Sequence, residues 1–176
     1  MTVPNIITVL RICLVPLLIW CIGSDAWSTA FWLFVAAGVS DGVDGFIAKR
    51  FNQKSELGAM LDPLADKVLL VSIYVSLGIL TVLPRWLVIL VVFRDLMIVG
   101  AVLLSWVMGR PVRIAPLMLS KVNTGAQITL AAFVLFTKGF GVDMAGAVLV
   151  ASIAVAALTV ASTAAYVRQW LGHMTS

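Results

Sequence analysis

Six continuous apolar runs, each close to twenty residues long, dominate this chain and leave few architectures open to it. They cover roughly 4–22, 29–47, 59–80, 84–107, 119–136 and 144–166. A helix needs about 20 apolar residues to cross the hydrocarbon of a bilayer. A membrane β-barrel would need alternation with period two, and these runs do not alternate. Of the 176 residues 62% are hydrophobic and 11% charged, with a mean hydropathy of +1.11. Soluble domains carry about 25% charged residues, and no soluble core of this size buries so much apolar surface. The expectation is an all-α integral membrane bundle of six transmembrane helices, one domain over 1–176.

The basic residues set the orientation. The net charge is +4, but the cations punctuate apolar runs, which reads as topology rather than nucleic-acid binding. Lys49, Arg50, Lys54, Arg110, Arg113, Lys121 and Arg168 fall on one side, and Arg85 and Lys138 on the other. Seven against two puts the 49–57 and 110–118 connections and both termini in the cytoplasm. The expected setting is a bacterial inner membrane or its equivalent, with the bilayer itself as a partner. The first run reads as a retained helix rather than a signal peptide. It lacks a basic start, Arg11 interrupts it, and no small-residue cleavage site follows. Cys13 and Cys21 read as small core or lipid-facing residues, and His173 receives no role.

Eight acids are present, and four of them are aspartates gathered within 26 residues: Asp41, Asp44, Asp62 and Asp66. Asp41 and Asp44 are three apart and Asp62 and Asp66 four apart, so each pair shares one helix face. The connection between the helices is short, so the faces can converge at the cytoplasmic surface. Even on a lenient scale, a charge at the membrane centre costs about 2.5–3.5 kcal/mol. Four clustered carboxylates require a cation, and hard oxygen ligands select Mg²⁺, Mn²⁺ or Ca²⁺. Gly42, Gly45 and Gly58 leave room for close approach, and Lys49 and Arg50 place positive charge beside the acids. Metal ions flanked by cations are suited to a transferring phosphoryl group.

The run Asp41-x2-Asp44-Gly45-x2-Ala48-Lys49-x8-Gly58-x3-Asp62-x3-Asp66 resembles the signature of the CDP-alcohol phosphatidyltransferases. Lys49 stands where that family has Arg, the better phosphate fork, so Lys49 or Arg50 takes that role. The resemblance implies a phosphatidyl group moved from CDP-diacylglycerol to an alcohol, with release of CMP. It implies that Asp41, Asp44, Asp62 and Asp66 hold Mg²⁺ or Mn²⁺ and that Asp66 is the base for the acceptor hydroxyl. It also implies that Asp41, Gly45, Ala48, Lys49, Gly58 and Asp62 line the nucleotide and diphosphate, and that the protein pairs as a homodimer.

The acceptor is read from two later segments. Arg94-Asp95-Leu96-Met97-Ile98-Val99 and the stretch from Ser120 to Gln127 resemble the family's cardiolipin synthases. The phosphatidylglycerophosphate synthases more often carry a second Arg in the first segment, and Lys where this chain has Asn123. The expected acceptor is therefore phosphatidylglycerol, giving cardiolipin, with glycerol 3-phosphate the alternative. A lipid monoanion needs fewer cations than a small dianion. Arg94 and Lys121 are candidates for its phosphate, and Arg11 a weaker one; the competing role for Arg94 is an ion pair with Asp95. Two other classes stay open. An ion-coupled transporter would place its acids at the midplane in broken helices, and a scaffold would tolerate neutralising all four.

Overall fold

A computed structural model describes the backbone of residues 3–50, 56–107 and 118–174, and the side chains of 8–42, 65–100 and 118–170. The described residues form six helices and no strands: α1 (Val3–Gly23), α2 (Trp27–Arg50), α3 (Glu56–Ile79), α4 (Arg85–Val107), α5 (Met118–Gly139) and α6 (Ala145–Met174). At about 1.5 Å per residue, each is long enough to cross the hydrocarbon. All six coincide with the apolar runs, so the all-α class holds. Two departures have a physical reason. α2 continues through Lys49 and Arg50, and α6 continues beyond Tyr166 through Arg168. Apolar runs report the part of a helix suited to lipid, whereas backbone hydrogen bonds carry on into polar sequence.

By length and composition, α5 and the Ala145–Trp170 part of α6 are apolar enough to cross a membrane; only described residues enter that comparison. α6 also has an inverted pattern. Its buried positions are Ser152, Val155, Thr159, Ser162 and Tyr166, spaced three and four apart, whereas Leu149, Val150, Ile153 and Val160 are exposed. A helix surrounded by water buries the apolar stripe and exposes the polar one. Small hydroxyl residues at helix contacts, with apolar residues outside, are what packing in lipid favours.

Two compact units are present, Met1–Val82 with Ala131–Met144, and Leu83–Leu130 with Ala145–Ser176. In the first, α1 packs on both α2 and α3. α1 contributes the stripe Thr8, Arg11, Val15, Leu18, Ile22; α2 contributes Ala30, Phe34 and Ala37; α3 contributes Leu70, Ile73 and Leu77. The end of α5 joins this unit through the rings of Phe136 and Phe140, which meet Phe31. Gly139 lies so close to α2 that a Cβ there would stand 2.9 Å from Ser28 Cα. The α1–α2 turn places Asp25 at φ 58°, with the Trp27 indole donating to its Oδ1 at 3.1 Å. In the second unit α4 packs on α6.

Candidate active site

Each stripe of the first unit carries or leads to a charged residue. Continuing α2's inward spacing one turn beyond Ala37 reaches Asp41. Running α3's stripe back one turn from Leu70 reaches Asp66. Arg11 lies on α1's own buried stripe, one turn before Val15. The three meet: Arg11 Nη1 lies 2.9 Å from Asp41 Oδ1 and 2.7 Å from Asp66 Oδ1. One nitrogen thus joins carboxylates from two helices, and their Oδ1 atoms stand no further apart than those two distances combined. Burial is one-sided. The Arg11 side chain is 1% exposed, against 48% and 47% for the two aspartates. The guanidinium sits under the carboxylates, and their outer sides are open to an incoming group. A Cβ added at Gly42 would meet open space.

Sequence reasoning paired these aspartates with a metal and assigned Arg11, if anything, to acceptor phosphate. The structure brings Asp41 and Asp66 together, in keeping with their helix-face spacing, and adds Arg11 to them. The available signal was a charge at position 11 in phase with an otherwise apolar stripe. Asp44 and Asp62 lie one turn from Asp41 and Asp66 along α2 and α3. Their side chains, and those of Gly45, Ala48, Lys49, Gly58 and Lys54, fall outside the described residues. Among the described residues no three acidic, His or Cys side chains group together. The donor chemistry nevertheless fits a hard divalent ion. Two carboxylates converge from neighbouring helices on a point that already holds one positive charge, with their outer sides exposed.

The second unit carries a separate polar cluster. Arg94, 3% exposed, pairs with Asp95 through Nη1. Its Nη2 donates to Ser120 Oγ and, at 3.0 Å, to Ser162 Oγ, and the guanidinium lies 5.8 Å from the centre of the Tyr166 ring. One turn before Ser162 on α6, the Thr159 hydroxyl donates to Asn123 Oδ1, at 3.0 Å, and to the Val155 carbonyl, at 2.7 Å. Gln127 Nε2 lies 3.5 Å from Thr159 Oγ1. Arg94 is thus in an ion pair within its own helix. A long side chain bridges the roughly 100° between successive helical residues, and burial favours that pairing. Among the described residues, the Nε of Arg94 and the Nδ2 of Asn123 are buried donors without an acceptor. Lys121 is exposed on α5.

These features define a helical protein whose acids converge in a signature stretch, and comparison with known families agrees. The chain belongs to the CDP-alcohol phosphatidyltransferase family, whose model matches residues 1–165. Within that family it is similar to cardiolipin synthases (CMP-forming). It is 37% identical to those of Rattus norvegicus and of Homo sapiens, over 74% of this chain and 49% of each relative. It is also 33% identical to the chloroplastic CDP-diacylglycerol–glycerol-3-phosphate 3-phosphatidyltransferase 1 of Oryza sativa, over 94% of this chain and 56% of that protein. The chain spans about half the length of these curated relatives.

Proposed function

We propose that this protein transfers a phosphatidyl group from CDP-diacylglycerol to a hydroxyl of phosphatidylglycerol, giving cardiolipin and CMP. The observation that carries the reading is the convergence of Asp41 and Asp66, the first and last aspartates of the family signature, at one point between helices. The acceptor oxygen bonds to the phosphatidyl phosphorus, the bond from that phosphorus to the CMP oxygen breaks, and CMP leaves with the bonding pair. Asp66, half-exposed, accepts the proton of the attacking hydroxyl. Asp41, Asp44, Asp62 and Asp66 would hold Mg²⁺ or Mn²⁺, which when bound neutralises the diphosphate and polarises the reacting phosphorus. Gly45, Ala48, Lys49 and Gly58 line the nucleotide, and Lys49 or Arg50 pairs with the diphosphate. Lys121 and Arg94 would bind the acceptor phosphate; for Arg94 this role adds a contact to a guanidinium already paired with Asp95.

All six helices span the bilayer in this reading, with the acids at the cytoplasmic side and two copies forming a homodimer. The inverted pattern of α6 supports the lipid setting. So do Trp20, Trp32 and Trp86, all exposed. Each lies near a helix end assigned to the outer face, where aromatic residues anchor at the headgroups. A second acceptor, glycerol 3-phosphate, is favoured by the rice relative, which matches more of this chain than the cardiolipin synthases do. CMP release by purified protein with CDP-diacylglycerol, Mn²⁺ or Mg²⁺ and each acceptor in turn decides between them. Turnover with glycerol 3-phosphate alone would reverse the acceptor assignment.

A further inference from the structure

We infer that Arg11 is a positioning residue that supplies the internal positive charge holding Asp41 and Asp66 together, so that divalent metal adds to carboxylates already gathered and partly offset rather than gathering them itself. The inference rests on the metal-site reading above. Three observations carry it. A single Arg11 nitrogen bridges the two carboxylates, from α2 and from α3, at 2.9 and 2.7 Å. The guanidinium is buried while both carboxylates are half-exposed, so it supports them from beneath and leaves their outer sides to a metal. Its carrier, α1, packs against both α2 and α3, so the position of that charge is fixed by Val15, Leu18 and Ile22 on the same buried stripe.

The consequence is a specific division of labour. Two carboxylates drawn to within 2.9 and 2.7 Å of one nitrogen repel each other, and removing Arg11 takes away the positive charge that offsets this repulsion. With Arg11 present, the helices stay together in metal-free conditions. Without it, the same helices depend on a bound cation for that charge. The folded state then gains more from metal, because a ligand that binds only the folded form raises its stability.

The test uses the full-length protein in detergent, with Mn²⁺ alone as probe and thermal unfolding as readout, in EDTA and in saturating Mn²⁺. In Arg11→Met the midpoint should fall markedly in EDTA and recover with Mn²⁺. The Mn²⁺-induced rise should be at least twice that of the wild type, and Arg11→Lys should behave close to the wild type in both buffers. An equal or smaller Mn²⁺-induced rise in Arg11→Met would overturn the inference and leave Arg11 as ordinary packing. Should Arg11→Met not fold, Arg11→Met with Asp41→Asn should recover a folded state in EDTA, and its failure to do so would count equally against it. Bound Mn²⁺ followed by electron paramagnetic resonance keeps the two ideas apart. No binding by the wild type refutes the metal site itself, whereas binding with an unchanged response in Arg11→Met refutes only the role of Arg11.

Discussion

Arg11 and Asp66 are 55 positions apart in the chain and 2.7 Å apart in space, a guanidinium nitrogen against a carboxylate oxygen. That contact ties the first helix to the signature stretch and fixes one carboxylate oxygen of the residue assigned as base. Arg11 lies on the buried side, and under the proposed reading the acceptor hydroxyl would approach the exposed side of Asp66.

Asp66→Asn keeps the size of the side chain and removes its ability to take a proton. General-base removal costs about 10²–10⁴ in rate. CMP release should fall by at least the lower of these, with the helical circular dichroism of the purified protein unchanged. Retained turnover would take Asp66 out of the base role.

Arg94→Met leaves Asp95 buried without its partner. Breaking a buried pair from one side costs about 3–5 kcal/mol, so the denaturation midpoint in detergent should drop sharply. Arg94→Met with Asp95→Leu should recover most of it. If Arg94 also holds acceptor phosphate, the double variant should stay folded yet show a raised KM for the acceptor, with that for CDP-diacylglycerol little altered.

Gly139→Ala drives a methyl group to within 2.9 Å of the Ser28 backbone, which has no flexible end to yield. Overpacking of this kind costs about 1–3 kcal/mol, and the thermal midpoint should fall accordingly. Ala at Gly146, where a Cβ meets open space, is the control and should leave the midpoint unchanged or slightly raised.

Thr81 follows α3 with φ 57°, a region unfavourable to a β-branched residue. Thr81→Gly removes that conflict, and the relief should be about 1 kcal/mol. A modest rise in the unfolding midpoint is the expected outcome.

Trp20 is 74% exposed in the structure. A variant keeping only this tryptophan should be quenched strongly by lipids brominated along their acyl chains and weakly by aqueous acrylamide. The reverse pattern would place this end of α1 in water.

The helices were legible because a run suited to lipid has few alternatives to an α-helix. The pairing of Asp41 with Asp66 was legible because three- and four-residue spacing fixes a face and a short connection fixes neighbours. Arg11 was not assigned to them, because its partners lie 30 and 55 positions away and spacing within one helix says nothing about the charge opposite. Its place on the buried stripe was visible, but a buried cation fits an acid or a phosphate equally well from sequence. Arg94 illustrates the opposite difficulty. Adjacency to Asp95 argued against a pair because the backbone directions diverge, yet a long flexible side chain closes that angle. The extension of α6 past Tyr166 was missed because polar residues end an apolar run without ending a helix.

The most direct measurement is CMP released by the purified protein from CDP-diacylglycerol in Mn²⁺ or Mg²⁺, with phosphatidylglycerol or glycerol 3-phosphate as acceptor. CMP and cardiolipin should form together with phosphatidylglycerol, and Asp41→Asn or Asp66→Asn should each abolish both. Release of CMP that survives neutralisation of these aspartates, or no release with either acceptor, would contradict an active site built on them.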